Sequence, residues 1–320
     1  MLRWSTGLVC PALVASITVI TSLIQTDHPS AQQSPLHLNP VVEKLAQGKP
    51  VFGVSTTDFS IDNANAMARS DVDFMRFEME HAPMDFDTVR NFLIGMIDKA
   101  GILKKGNAQL NVAPLIRIAP YGRDRADWVV KQALDVGVMG VIFPTVDNKE
   151  QTLAAVRSMR YPQRRGSPYM QPAGLRGVGA TNALWFWGVG TEDYTRRADL
   201  WPLNPQGDLL AIIMIESVEG MKNLDEILSV PGVGLLWAGI ANDLSMSMGV
   251  PQDSPEVEGA LGSILKACLK HGVPCGINAS AGDIQKRIKE GWKYFDVGRV
   301  GAGMTPPVDA ALRAGRAGLK

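Results

Sequence analysis

Residues 211–216 read Ala-Ile-Ile-Met-Ile-Glu, a short apolar run that ends in a carboxylate. The run is too short for a typical helix and lacks the polar alternation of a half-exposed strand. It is typical of a strand that helices cover on one face and a barrel core fills on the other. Burying the carboxylate of Glu216 at its end is costly unless that group is paired or bound to a metal.

Seven further runs of this kind alternate with amphipathic helical patterns. The eight predicted strands cover residues 51–55, 73–78, 112–117, 141–143, 211–215, 234–238, 274–277 and 294–298. This alternation predicts a closed (β/α)₈ TIM barrel, in one domain of residues 46–320. A doubly wound open sheet is the alternative, but it normally has a glycine-rich turn after its first strand, where residues 54–57 carry none.

The net charge limits the classes of molecule that the protein is expected to bind. Lys plus Arg and Asp plus Glu each number 32, so the formal net charge is zero. A protein that binds nucleic acid normally carries a basic excess, because it must neutralise phosphates. We therefore expect no nucleic-acid partner.

The first 31 residues have the layout of a secretory signal peptide. Arg3 precedes the uncharged apolar stretch 7–24, and small residues at 29–31 offer a cleavage site. An uncleaved anchor is the alternative, because about 18 apolar residues approach a membrane span. We expect an exported protein, periplasmic or secreted, with residues 32–45 as an exposed tail.

Two cysteines lie in the body of the chain. Cys268 falls on the apolar face of a helical pattern, and Cys275 falls in the strand that follows. Disulfide geometry is strict, and side chains on neighbouring elements need not point at each other. The sequence therefore favours two buried thiols over a disulfide.

Residues 161–206 interrupt the alternation. The segment is long, irregular and rich in Gly, Pro and Trp, with aromatic residues at Trp185, Phe186, Trp187 and Trp201. Long loops in compact domains are usually functional or disordered, and this aromatic content argues against disorder. We expect an ordered loop that covers the mouth of the barrel or meets another subunit.

Ionisable residues follow several of the predicted strands. In chain order they are Glu78, Glu80 and His81 after the second strand, Arg117 at the end of the third, Glu216 after the fifth and Asp243 shortly after the sixth. The loops at the C-terminal ends of barrel strands open on one face, so these groups are expected to meet there. Each also has a plainer explanation, such as a helix cap for Asp243 or a counter-ion for Arg117.

Together these residues suit a metal-assisted carbonyl reaction. Two carboxylates and water favour a hard divalent ion such as Mg²⁺ or Mn²⁺. An arginine adds a fixed positive charge at a developing oxyanion, and a histidine moves a proton.

With these residues in order, the chain resembles the HpcH/HpaI family of metal-dependent class II pyruvate aldolases over about residues 50–298. Besides Arg117 and Glu216, the resemblance rests on Glu78-Met79-Glu80-His81, Leu134-Asp135-Val136-Gly137, Tyr161-Pro162, Arg176-Gly177-Val178-Gly179 and Asp243-Leu244-Ser245. It implies a barrel lyase that cleaves or forms a C–C bond next to a 2-oxo acid. Pyruvate and an aldehyde are the implied products of a 4-hydroxy-2-oxo acid.

The resemblance also implies roles for individual residues. Glu216 and Asp243 would hold Mg²⁺, Mn²⁺ or Co²⁺. His81 would be the base, with Asp135 orienting it, and Arg117 would bind the keto and enolate oxygen. Asn242 and Ser245 would contact substrate, and the chain would assemble as a homo-oligomer, a trimer or a hexamer.

Three positions depart from the family pattern. Glu78 stands where the family has Asp, Met214 where it has Gln, and Asn242 is an added residue in the turn before Asp243. The loss of the Gln contact keeps an alternative open, namely a catalytically silent metal- and carboxylate-binding protein on the same barrel.

Overall fold

The computed structural model describes residues 37–319 except 240 and 302. The predicted signal segment, residues 1–31, lies outside the described residues. Within the described part, no helix has the length and apolar character needed to cross a bilayer.

Eight parallel strands close into a barrel in chain order, each paired with the next and β8 paired with β1. Their bounds are β1 Val51–Thr56, β2 Phe74–Glu78, β3 Ala113–Arg117, β4 Gly140–Phe143, β5 Leu210–Met214, β6 Val233–Trp237, β7 Cys275–Asn278 and β8 Tyr294–Val300. The predicted (β/α)₈ barrel is confirmed.

Helices precede, separate and follow the strands. Their bounds are α1 Pro40–Ala46, α2 Ile61–Ala68, α3 Phe86–Gly95, α4 Lys99–Lys105, α5 Tyr121–Asp124, α6 Asp127–Val136, α7 Lys149–Met159, α8 Thr181–Trp187, α9 Thr191–Arg197, α10 Val218–Lys222, α11 Leu224–Leu228, α12 Asn242–Met248, α13 Pro255–His271, α14 Ile284–Glu290 and α15 Pro306–Ala317. Side-chain caps fix several starts. Ser254, for example, accepts a hydrogen bond from the amide of Val257 at the start of α13.

The strand residues divide between two apolar clusters. Alternate residues such as Phe74, Leu115 and Ile212 point into the barrel, and their neighbours pack outward against the helices. The barrel interior is therefore a packed core, and the space for chemistry lies at the ends of the strands.

Residues 37–45 are not an exposed tail, so that part of the prediction is wrong. Helix α1 packs Val41, Val42 and Leu45 into the interior cluster beside the first residues of β1 and β5. Asn39 caps the helix and donates to the carbonyls of Met139 and Asp208. The physical reason is that the N-terminal end of the barrel needs an apolar cover, which α1 provides.

The expectation of two free thiols is also wrong. Cys268 at the end of α13 and Cys275 at the start of β7 form a disulfide, with their Cα atoms 5.9 Å apart. A tight turn through Gly272, which has a left-handed φ of 66°, brings the helix end back onto the strand that follows.

Residues 161–206 do not cover the barrel mouth, so this alternative is wrong. The segment joins the end of α7 to the start of β5 and therefore lies toward the N-terminal ends of the strands. Trp187 is buried and donates to the carbonyl of Gly137, and Trp201 packs against the interior cluster. Trp185 is 70% exposed and lines an apolar groove of about 1150 Å³ with Val178 and Leu184.

Candidate active site

Five of the predicted site residues surround a small pocket at the C-terminal ends of the strands. The pocket has a volume of about 140 Å³ and is lined by His81, Arg117, Met214, Ile215, Glu216, Ala238, Ala241, Asn242, Asp243, Leu244 and Arg299. These residues come from the ends of β2, β3, β5, β6 and β8, as barrel topology predicts for an active site.

Glu216 is the most buried acid that lines this pocket. It lies two residues beyond β5 and is 8% exposed. Its Oε2 accepts a hydrogen bond of 2.8 Å from the backbone amide of Thr145. Thr145 has a φ of 55°, a left-handed conformation that a β-branched residue rarely adopts, so its amide is held toward the carboxylate at the expense of backbone strain.

Burial raises the pKa of Glu216 to about 7, and the nearby charges of Glu80 and Asp243 add to this shift. The amide of Thr145 acts in the opposite direction. Three carboxylates therefore repel one another across this part of the pocket, which is the electrostatic condition that a divalent cation relieves.

Asp243 lies in the first turn of α12, and Asn242 begins this helix. Ala241, which precedes them, has a left-handed φ of 58° and turns the chain from β6 into the helix beside the pocket. Ser245 does not line the pocket. Its hydroxyl is buried and donates to the carbonyl of Asn242 at 2.7 Å, so the structure does not support the predicted contact with substrate.

Arg117 reaches the pocket from β3 with its guanidinium already paired. Its Nε and Nη2 donate to Glu78, the latter at 2.7 Å, and its Nη1 lies 2.8 Å from Oε2 of Glu80. The Nη1 group also faces the sulfur of Met214 at 3.9 Å. Two carboxylates thus hold the arginine in one orientation, with little freedom to move.

A second arginine, Arg76, lies below this layer inside the barrel. It donates from Nε and Nη2 to Oδ2 of Asp296, at 3.1 and 2.8 Å, and from Nη1 to Glu78. Its guanidinium stacks 5.0 Å from the ring centre of Trp237. Burial opposes the charge of Arg76, but Asp296 and Glu78 raise its pKa overall.

These contacts join into one charge ladder, Asp296–Arg76–Glu78–Arg117–Glu80, whose members alternate in sign. Burial alone would raise the pKa of Glu78, but hydrogen bonds from Arg117 and the charge of Arg76 lower it. Burial raises the pKa of Glu80, the last member. The ladder extends from the barrel core to its mouth, and both of its arginines are paired with carboxylates.

His81 lies beside Glu80, at the outer end of the charge ladder. Its side chain is 64% exposed, and its Nε2 lies 3.5 Å from Oε2 of Glu80. Asp135 is not its partner within this chain. Asp135 lies near the C-terminal end of α6, toward the N-terminal ends of the strands, where it pairs with Arg176 at 2.8 Å and with Lys131.

The donor set fits a hard divalent cation. Glu216 and Asp243 offer carboxylate oxygens in one pocket, and waters or substrate oxygens complete such sites. Among residues 37–319 as described, no three His, Cys, Asp or Glu side chains form a ready ligand cluster. Two carboxylates are therefore what this chain contributes, because Arg117 already engages Glu80.

Four residues at or below the site were missed at the level of sequence. Arg76 and Asp296 lie inside β2 and β8, where a strand pattern reveals burial but not partners. Thr145 acts through its backbone, which no residue pattern reports. Arg299 lies one residue beyond the predicted end of the last strand, and Gly298 before it is the one available signal, since a glycine within a strand often marks a bulge.

Comparison with known proteins agrees with this geometry. The profile of the HpcH/HpaI aldolase/citrate lyase family matches residues 57–302. The chain belongs to this family.

Individual relatives carry aldolase names. The chain is 32% identical over 269 residues to the hydroxypyruvate/pyruvate aldolase of Delftia acidovorans, covering 82% of this chain and 87% of that protein. It is 30% identical over 256 residues to a 4-hydroxy-2-oxo-heptane-1,7-dioate aldolase of Escherichia coli, covering 77% and 82%.

A solved structure of an HpcH/HpaI aldolase/citrate lyase family protein from Burkholderia cenocepacia J2315 superimposes with a TM-score of 0.67 at 29% identity. The match covers 88% of this chain and 98% of that one. Together with the aldolase relatives, it supports a lyase.

The charge ladder generates a stability prediction. Arg76→Met leaves Asp296 and Glu78 without their shared buried counter-ion, which we expect to lower the free energy of unfolding by about 3–5 kcal/mol in chemical denaturation. Arg196→Met removes an exposed pair with Asp193, and we expect a change of less than about 1 kcal/mol. Equal losses in both variants would show that the ladder does not stabilise the barrel.

The pKa of Glu216 generates a prediction for the metal-free protein. Native Glu216 keeps its proton up to about pH 7, whereas an unfolded glutamate loses it near its ordinary pKa of 4.5. The native state therefore binds more protons between these values, and its stability falls as pH rises through that window. We expect Glu216→Gln to remove this part of the pH dependence in denaturation curves, and Glu219→Gln on the exposed face of α10 to retain it.

Proposed function

We propose that this protein is a metal-dependent aldolase that cleaves a 4-hydroxy-2-oxo acid into pyruvate and an aldehyde, or joins them in reverse. The observation that carries the proposal is the convergence of Glu216, Asp243, Arg117 and His81 on one pocket at the strand ends. Membership of an aldolase family supports it.

Glu216 and Asp243 would hold the cation, of the Mg²⁺, Mn²⁺ or Co²⁺ type. When bound, it supplies Lewis-acid stabilisation of negative charge on the keto oxygen of the substrate. The residues around it have their own tasks. The amide of Thr145 holds one oxygen of Glu216 and so fixes the orientation of that carboxylate.

Arg117 would stabilise the charge that develops on the 2-oxo group. Its guanidinium is held by Glu78 and Glu80 before substrate arrives, so little reorganisation is needed during the reaction. A lysine could not keep both carboxylate contacts, because its single ammonium lacks the planar fork of arginine.

His81 would move the proton. In cleavage, a base takes the proton of the 4-hydroxyl, the C3–C4 bond breaks to give the aldehyde, and the pyruvate enolate takes a proton at C3. The exposed ring of His81 lines the pocket, and the carboxylate of Glu80 beside it would stabilise the imidazolium that forms. Within one chain, the carboxylate beside His81 is therefore that of Glu80 and not that of the expected Asp135.

A second candidate is a metal- and carboxylate-binding protein without turnover. Met214 favours it, since its thioether faces Arg117 at 3.9 Å, at the position where the family resemblance implies a glutamine amide that can hydrogen-bond. The two candidates differ in one measurable quantity, the release of pyruvate.

We further propose that the chain is exported and forms a homo-oligomer, a trimer or a hexamer. The disulfide between Cys268 and Cys275 supports export, since such bonds persist in oxidising compartments. Trp185 and Val178, exposed by 70% and 90% beside an apolar groove, support a contact between subunits.

The aldolase proposal predicts that two variants fail differently. Glu216→Ala should lose both metal and pyruvate release, measured by metal analysis and a coupled pyruvate assay. His81→Ala should keep its metal but lose about 10²–10⁴-fold in turnover and in exchange of the pyruvate methyl protons with deuterated water. Glu219→Ala serves as the matched surface control, and a folded wild type that binds metal without releasing pyruvate would favour the second candidate.

The oligomer proposal predicts that Trp185→Glu lowers the assembly state, because it places a charge in the exposed apolar groove. Light scattering coupled to size exclusion measures this directly. Leu269→Glu alters another exposed apolar residue, 60% exposed on α13, and should leave the mass unchanged. The same mass for wild type and Trp185→Glu would remove the groove as the subunit contact.

A further inference from the structure

Arg76 and Asp296 form a buried ion pair below the pocket, and the proposed reaction assigns no task to either residue. Both are almost fully buried inside the barrel. Neither belongs to the segments on which the family resemblance rests. An ion pair is costly to bury, and apolar residues of similar volume often stabilise a core at least as well. The pair therefore calls for an explanation other than stability.

Asp296 is held by both of its carboxylate oxygens. Its Oδ1 accepts a hydrogen bond of 3.1 Å from the amide of Gly298, and its Oδ2 accepts from Nε and Nη2 of Arg76 at 3.1 and 2.8 Å. The amide contact lies in a bulge, where β8 contains one residue more than β1. The same bulge reverses the alternation of side chains, so that Arg299 lines the pocket. Asp296 thus presents one fixed oxygen to Arg76.

Arg76 is fixed in turn, and it passes this constraint upward. With Nε and Nη2 engaged by Asp296, its Nη1 donates to Oε2 of Glu78. Its guanidinium lies 5.0 Å from the ring centre of Trp237, and the guanidinium of Arg117 lies 5.9 Å from the same centre. The two arginines therefore share one aromatic ring and one carboxylate, that of Glu78.

The shared carboxylate determines how Arg117 meets the pocket. Oε2 of Glu78 accepts from Nη2 and Nε of Arg117 at 2.7 and 3.0 Å, and from Arg76 as well. Because Arg76 draws on the same negative charge, Glu78 neutralises Arg117 less completely than it would alone. The side of Arg117 that stays turned to the pocket wall is Nη1, which faces the sulfur of Met214.

Arg76 also helps to keep Glu78 ionised. Burial acts to raise the pKa of Glu78, whereas hydrogen bonds from Arg117 and the charge of Arg76 lower it. A neutral carboxyl would hold a guanidinium through weaker hydrogen bonds, since charge-assisted bonds are roughly twice as strong as neutral ones. The buried pair therefore bears on both the orientation and the charge of Arg117.

We propose that Arg76 and Asp296 are positioning residues of the reaction, which act through Glu78 to fix the orientation and the effective charge of Arg117. This inference rests on the proposed aldolase function and adds two residues of the barrel interior to that site. Neither residue reaches the pocket, so their loss should reduce stabilisation of the enolate and leave metal binding unchanged.

The test follows exchange of the pyruvate methyl protons with deuterated water, by nuclear magnetic resonance, in the Mg²⁺-loaded protein. The variant combines Arg76→Met with Asp296→Asn, which removes both charges together and leaves neither as an uncompensated partner of the other. We expect kcat for exchange to fall about tenfold to a hundredfold, the scale for a misplaced group. KM for pyruvate should change less than about threefold, as for an interaction made in the transition state.

Two single variants serve as comparisons. Arg76→Lys keeps the charge but not the planar fork, so it should recover part of kcat. Arg316→Met removes an arginine that also pairs with a buried aspartate, Asp73, and lies 5.6 Å from the ring centre of Phe52, but at the N-terminal end of the barrel. It should leave kcat and KM unchanged.

A double-mutant cycle shows whether the effect passes through Arg117. In an Arg117→Lys background, the combined replacement of Arg76 and Asp296 should lower kcat by about twofold or less, because the group that they position is already gone. An equal fall in both backgrounds overturns the proposal, and so does a combined variant with wild-type kcat. Either result leaves the aldolase proposal intact, whereas a wild type that exchanges no methyl protons overturns both.

Discussion

The architecture of the site depends on burying charge inside a barrel that is otherwise apolar. Asp296, Arg76 and Glu78 are each almost fully buried, and each is tolerated only because its neighbours in the ladder have the opposite sign. Replacing one member leaves the others as uncompensated buried charges. This destabilises the folded protein more than replacing the whole set by apolar residues would. The orientation of Arg117 at the pocket is therefore tied to residues in the core.

The sequence predicted the part of the site that is formed by residues at the ends of the strands. The apolar runs predicted all eight strands, and barrel topology then brought His81, Arg117, Glu216 and Asp243 to one pocket. This part of the site was predictable because it requires only the direction of each strand.

Contacts that depend on side-chain reach or backbone detail were not predictable in this way. The resemblance implied that Asp135 orients His81, but within this chain Asp135 lies at the end of α6, toward the other end of the barrel, where it pairs with Arg176. The disulfide depends on how tightly the chain turns at Gly272, and the direction of Arg299 on a single extra residue in β8. Neither the disulfide nor the extra residue in β8 produces a repeating pattern of apolar residues in the sequence.

The position of helix α1 bears on the order in which substrates would enter the pocket and products would leave it. Because Val41, Val42 and Leu45 cover the N-terminal end of the barrel and side chains fill the interior above them, the pocket reaches solvent at the strand ends and not through the barrel. In the proposed cleavage both fragments share that opening. The fragment nearer the solvent must depart before the one seated against the carboxylates, so products leave in a fixed order, and in the reverse direction the 2-oxo acid must enter first.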